Sequence, residues 1–487
     1  MNLINGSLFT ALLLLIGASL ISSPALSGQI EAKKISNTFL GHAYLTHQQG
    51  QKFQAMAILM AADKLNRLGN DRQLGQLFLA QNLTELGLHH EAIRVYEQLA
   101  NASDNKQDIK NTAWLESAKL HLQQGRYSVA LASLSNVKKG LNKKQTADFK
   151  AAKSRALLET GKLKDALATL PRISDDSTWA LYQSFNIGER LIDEYRNKNG
   201  AMILHHIGKL DNETDKEIQA IKDQANLVLG FSLLKIKKPS KARKYLERVH
   251  LQSHLSNIAL LGMGWSYSNE SNYEQALVFW LELNKKTNRS AYGYETLLAV
   301  PYALAKARAY NQAIQYYKTA QRQISADTAE MNEAQKKISS DVFAQLISSY
   351  PERETGWLDT WQDTPASPAS HLLTLLLDNP QFQVTLKEYR ALLQLKQHVQ
   401  SLDLDIRQLK RINTTQTSAD IAKLVVRQRQ LDEQMQHAID KQFTSLKQQA
   451  LNTFERYKAQ LNNYSEQIRF GIAQAIEGGT FKAEEGL

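Results

Sequence analysis

Glu247, His250 and His254 follow one another at intervals of three and four. On one continuous helix that spacing would set three ligands for a divalent metal on a single face. The three fall at a junction between repeated units, where a helix should end, so the expectation is a junction and no metal. His89-His90 and His205-His206 are adjacent pairs whose members point to different helix faces, which reads as surface or turn. No phosphate-cradling Gly-rich loop ending in Lys-Ser/Thr, no Gly-x-Ser-x-Gly elbow and no His-Glu-x-x-His occurs. The chain has no cysteine, which excludes disulfides, thiolate zinc sites and a cysteine nucleophile. No pair of carboxylates stands where general acid and base would be needed. The sequence therefore leads to a non-catalytic protein with no catalytic residue, cofactor or metal.

Charge offers a different chemistry. The chain carries 59 Lys and Arg against 48 Asp and Glu, a net +11. Two clusters concentrate the excess. Lys138, Lys139, Lys143, Lys144, Lys150, Lys153 and Arg155 form one, and Lys235, Lys237, Lys238, Lys241, Arg243, Lys244 and Arg248 form the other. Such patches attract anionic polysaccharide, cell-wall fragments or lipid headgroups, and a solvated face is the alternative. Nucleic acid is not expected, since no nucleic-acid motif is present and aromatic residues are not interleaved with these lysines.

The elements that carry these residues repeat. A turn, an aromatic or apolar residue, an alanine three later and a bulky residue four after that recur along the chain. Examples are Tyr127, Ala130 and Leu134; Tyr273, Ala276 and Trp280; and Tyr310, Ala313 and Tyr317. The alanines fall at 55, 92, 130, 166, 242, 276 and 313, in steps of 37, 38, 36, 76, 34 and 37. The long step holds one degenerate unit, expected near Ala201. Twelve residues before most of these alanines sits a second small residue: Ala80, Ala118, Ser154, Gly230 or Gly264. Two small residues at that interval suit two antiparallel helices at their point of closest approach. Gly262-Met-Gly264 is thus a packing site.

This pattern resembles the tetratricopeptide repeat, whose motif runs W-x2-L-G-x2-Y, then A-x3-F, then P. Trp114, Ala118, Ala130 and Leu134 match four of its slots, and Leu260, Met263, Gly264, Tyr267, Ala276 and Trp280 match another unit in order. Ala242 with Gly230, and Ala313, mark further packing positions. The closing proline is missing throughout and most steps exceed the usual ~34 residues, so the extra residues belong between units. The resemblance implies an α-solenoid over residues 28–350 of about eight units, holding a helix or extended peptide.

Residues 1–27 contain no charged side chain, and residues 8–21 are mostly apolar, followed by Ala25-Leu-Ser27. Fourteen residues are few for a membrane span of ~20. The segment reads as a signal peptide cleaved before Gly28, with an uncleaved inner-membrane anchor as the alternative. With no cysteine, the expected location is the periplasm.

Residues 351–370, with three prolines and with Trp357 and Trp361, read as a linker. Beyond it Leu392, Leu395, Val399, Leu402, Ile406 and Leu409 are spaced three and four, as are Ile421, Leu424, Gln428, Leu431, Met435 and Ala438. That is a coiled-coil seam, so residues 371–476 are expected to form an antiparallel hairpin, with 477–487 a flexible tail. The second arm is twice the length of the first. Its continuing apolar face at Phe443, Leu446, Ala450, Tyr457, Leu461, Tyr464 and Ile468 must be covered by the helix 371–377, the solenoid, a second copy or a different protein. An intermolecular contact through residues 384–475 is the favoured expectation, and a break that folds the helix back is the alternative. The whole reads as an all-α, non-catalytic scaffold binding envelope proteins, with handling of an anionic polymer as the second reading.

Overall fold

The computed structural model describes residues 35–484, apart from 175–176, 194–197, 212–214, 254, 286–290, 339–342, 345–346, 348–375, 377–378 and 413–417. Within helices it also leaves out some side chains, including those of 402–412 and 418–420. The leader, Trp357, Trp361 and His254 lie outside the described residues. Among the described residues there is no strand, and no helix is long and apolar enough to cross a membrane.

The helices come in pairs. They are α1 Thr38–Gln48 with α2 Lys52–Lys64, α3 Arg72–Glu85 with α4 His89–Asn101, and α5 Gln107–Gln123 with α6 Tyr127–Ser135. Next are α7 Lys143–Glu159 with α8 Leu163–Ala168, α9 Thr178–Asp193 with α10 Lys198–Ile207, and α11 Lys216–Lys235 with α12 Pro239–Leu246. The last pairs are α13 Ser256–Ser268 with α14 Tyr273–Lys285, and α15 Ala291–Lys306 with α16 Tyr310–Ile338. Two long helices follow, α17 Pro380–Ile412 and α18 Ser418–Glu484. The described residues fall into two compact units, 35–229 and 230–484, the change falling inside α11.

One local device closes the pairs. In each described within-pair turn a residue adopts a left-handed conformation: Gly50, Gly87, Gly125, Gly161, Lys237, Ser271 and Arg308, with φ from 55° to 80°. The amide of the next residue then reaches back to the carbonyl five residues earlier, as in Leu88 to Leu83 (2.9 Å), Lys238 to Leu233 (2.9 Å) and Ala309 to Leu304 (2.8 Å). This is the Schellman closure, which satisfies carbonyls left unpaired at a helix end. Glycine takes it without strain, and three of the seven turns do without glycine. Turn and alanine are locked together, because each left-handed residue precedes its repeat alanine by five positions.

Those alanines, at 55, 92, 130, 166, 242, 276 and 313, are each at most 1% exposed. The small residue twelve before and the bulky residue four after are the two halves of one contact. A Cβ on Gly230 would run into Leu246, one on Gly264 into the Trp280 indole, and one on Gly188 into Leu204. In every case the interval is sixteen residues. The hole on the first helix admits the knob from the second, which sets how closely the pair can pack. The fifth pair corrects the sequence reading. Its reference residue is Gly200, against the backbone of Gly188 and Ile192, while Ala201 is only half-buried. Trp280 is fully buried, donates from Nε1 to the Leu261 carbonyl (3.2 Å) and meets Trp265 edge-on at 4.9 Å. Trp114 is half-buried against the core of the first pairs.

α17 and α18 run antiparallel. Gln442 donates to Glu388 (3.0 Å), Gln449 to Thr385 (3.0 Å) and Gln428 to the Val399 carbonyl (3.1 Å). Of the covers expected for the second arm, the one observed is the solenoid and not the favoured intermolecular contact: α16 runs 29 residues where the other second helices run 6 to 13. Its extension lies antiparallel along the far half of α18. Tyr310 meets Gly478, Tyr317 meets Gly471, and Gln335 bonds Glu455 (2.8 Å) and Lys458 (2.7 Å). Tyr457, Leu461, Tyr464 and Ile468 are buried with Tyr294, Tyr317, Ala320, Ile324 and Met331. Leu446 and Ala450 are buried with Phe382, Leu386 and Tyr389 of α17. The helix is unbroken through 477–484, where a tail was expected. Along the seam Ile421, Met435 and Val399 are buried but Leu424 is 49% exposed, and the side chains of Leu402, Ile406 and Leu409 lie outside the described residues. Leu376 joins the core where α16, α17 and α18 meet.

Candidate functional site

The first lysine cluster sits on the α6–α7 loop and the opening turn of α7. Asn111 pins that loop: its Nδ2 donates to the carbonyls of Lys138 (3.1 Å) and Lys139 (3.3 Å), and its Oδ1 accepts from the Lys138 amide (2.9 Å). A capping box between Asn142 and Gln145 opens α7 with no acid in its first turn. Lys138, Lys139, Lys143 and Lys144 are exposed, the last two at the positive end of a helix dipole, which disfavours them slightly. Arg155 leaves the cluster: it and Arg190 clamp Glu159, each at 2.7 Å.

The second cluster sits on the α11–α12 turn and on α12. Lys235, Lys237, Lys238, Lys241 and Lys244 are exposed. Arg243 turns inward, pairs with Glu270 (2.8 Å) and stacks on Tyr267 at 4.5 Å, so it serves packing. Glu247 ends α12 and His250 lies in the following turn, so the helix that would have aligned the metal-like triplet stops before it. No cluster of three potential ligands exists among the described residues. His206 bonds the Met202 carbonyl at 2.7 Å, and its ring meets that of His205 at 6.0 Å.

A buried ionic cluster, not readable from the sequence, links α5, α7 and the start of α9. Lys119 donates to Glu116 (2.9 Å) and Asp148 (2.6 Å), Ser177 donates to Asp148, and the ammonium lies 4.8 Å from the Trp179 ring. Burial works against the charge, but Glu116 and Asp148 outweigh it and hold Lys119 above its ordinary range. The group is closed on itself, and its role is to fix helix stacking.

A slot of about 180 Å³ opens in the second unit between α14, α15 and α16. Asn284, Thr296, Leu297, Val300, Gln315, Tyr316 and Thr319 line it. The Asn284 Oδ1 is buried without a hydrogen-bond partner, and Tyr316 is 39% exposed. These residues lie between the packing positions, where the repeat pattern imposes no residue type. The one sequence signal was the doubled aromatic Tyr316-Tyr317, of which Tyr317 packs and Tyr316 is free to face outward. Below the slot Tyr294 donates to Asp327 (3.0 Å), and burial pushes the Glu295 carboxyl up to about 7 against a hydrogen bond from Tyr464.

Helix pairs closed by Schellman turns and seated on small-to-large contacts sixteen residues apart define an α-solenoid of tetratricopeptide type. Solved structures of that type resemble the chain. A tetratricopeptide repeat protein from Parabacteroides merdae is 12% identical over 58% of this chain and 90% of its own, with a TM-score of 0.28. The repeat domain of P58(IPK) is 14% identical over 66% and 90%, with a TM-score of 0.20. The anaphase-promoting-complex hetero-tetramer Cut9–Hcn1 is 12% identical over 88% and 89%, with a TM-score of 0.22. No family model and no curated protein matches the sequence.

Proposed function

We propose that this chain is a non-catalytic protein-binding scaffold that holds a complex together in the bacterial cell envelope. The slot between α14, α15 and α16 carries the reading. Its lining is of amides, hydroxyls and aliphatic groups, with no acidic, basic or imidazole side chain. Such a lining receives a neutral guest: one apolar side chain of a partner polypeptide against Leu297 and Val300, with a backbone N–H offered to the amide of Asn284. A cavity near 150 Å³ accepts a benzene-sized group, so the slot suits a single anchor residue. The envelope assignment is supported by the apolar run at 8–21, the small residues before Gly28 and the absence of cysteine.

The test places a photo-crosslinking amino acid at position 316 of the full-length protein in cells. The expected result is a small, reproducible set of adducts with envelope proteins that disappears when Leu297 is changed to Asp. Adducts spread over abundant proteins, unchanged by Leu297→Asp, would overturn the reading.

A further inference from the structure

We propose that the outer face of α12, with the turns at its two ends, docks on an anionic phospholipid bilayer. Three observations converge there. Lys237, Lys238, Lys241 and Lys244 are exposed and have no ion-pair partner among the described residues. Lys241 and Lys244 lie one turn apart on α12, and Arg248 follows in the turn that closes it. The Arg248 guanidinium lies 5.1 Å from the Tyr245 ring and is half-buried, so the exposed cations of this face are the lysines. Glu247 is the one exposed acid on α12 and its closing turn, and Glu270 is already engaged by Arg243.

The third observation selects the ligand. Large apolar side chains stand out at both ends of the helix, Ile236 in the turn before α12, at 57% exposure, and Leu251 in the turn after it, at 82%. A soluble polyanion would take the lysines and give no place to either residue. A bilayer takes both kinds, headgroup phosphates pairing with the cations while the two side chains enter the interface. The first lysine cluster has no such flanking residues and resembles a solvated face. This inference stands apart from the slot, since it concerns another surface and another ligand.

The experiment is co-sedimentation of the full chain with vesicles of phosphatidylcholine alone or mixed with phosphatidylglycerol. It compares the parent with a Lys237→Gly, Lys241→Gln, Lys244→Gln variant and with Leu251→Asp. Any hold through residues 8–21 is common to all three. Lys237→Gly relieves a left-handed φ of 55°, so that change does not weaken the turn. The expected result is binding that requires phosphatidylglycerol and falls roughly fivefold per lysine removed. Leu251→Asp should lose vesicle binding yet keep its affinity for inorganic polyphosphate. Equal phosphatidylglycerol dependence in the parent and the lysine variant would overturn the proposal. So would Leu251→Asp binding vesicles as the parent does, which would identify a site for soluble polyanions.

Discussion

The hydroxyl end of the Tyr317 ring lies against Gly471, with no room between them for even a methyl group. Tyr317 is the bulky residue of the last repeat, four after Ala313, and Gly471 belongs to a helix that begins eighty residues after α16 ends. α18 therefore receives the last repeat as a further repeat would have done. Its outward residues there are mostly polar, Asn462, Asn463, Glu466, Arg469, Gln474 and Glu477, with Phe470 and Ile476 also exposed among them.

Gly471→Ala should accordingly weaken this unit by ~1–3 kcal/mol, the usual cost of overpacking, although alanine favours a helix. Gly479→Ala is the matched control. A Cβ there meets only Tyr310 at 3.7 Å, so helix propensity should leave it neutral or stabilising by up to ~1 kcal/mol. Urea unfolding of the two variants, followed by circular dichroism, decides. Equal midpoints would mean that α18 is not seated on α16.

Lys119→Met should be more damaging. It leaves Glu116 and Asp148 buried with no cation, a loss of ~3–5 kcal/mol. Adding Glu116→Gln and Asp148→Asn should return most of that. The single variant should also regain stability as pH falls and the stranded carboxylates take up protons, which a simple cavity would not do. A flat pH dependence would show that the ammonium is not what balances them.

Much of this fold is legible in the sequence, and the reason is local. The left-handed turn, the alanine five later and the knob four beyond that are fixed within one helix pair, so sequence spacing records them. The fifth pair was misplaced by one residue because Gly188 and Gly200 stand where alanine was sought, although their twelve-residue interval was there to be read. The cover over Tyr457 to Ile468 stays open in the sequence, between the solenoid, a second copy and a different protein, for another reason. It comes from α16, more than a hundred residues upstream, and a 3–4 apolar spacing states that a face is covered without stating by what. The slot was invisible because its residues are the ones that packing leaves free.

The non-glycine turns provide a gain-of-stability prediction. Ser271 and Arg308 sit at φ of 60° and 62°, where their neighbours in other pairs are glycine. Ser271→Gly and Arg308→Gly should each stabilise by up to ~1 kcal/mol, because the closing hydrogen bonds need only the backbone. Arg308→Ala, which keeps the strain, should give no such gain. If the alanine variant rose with the glycine one, the turn would not be left-handed.

Glu295 gives the second unit a pH dependence whose sign is fixed. Burial raises its carboxyl to about 7 from an unfolded value near 4.5, so between those limits the folded chain holds a proton that the unfolded chain has released. Stability contributed by this group is then fully present below about 4.5, declines as pH rises to about 7, and stays low above it. The decline should be on the order of 1–3 kcal/mol. Glu295→Gln keeps a side-chain oxygen for the Tyr464 hydroxyl while removing the titration, so it should unfold at higher urea than the parent at pH 8 and match it at pH 4.5. Glu189, also raised to about 7, lies in the first unit and would add a similar slope there, which Glu189→Gln removes separately. Parallel stability curves for the parent and Glu295→Gln from pH 4.5 to 8 would show that the carboxyl is solvated and that Tyr464 holds α18 against α15 through packing alone.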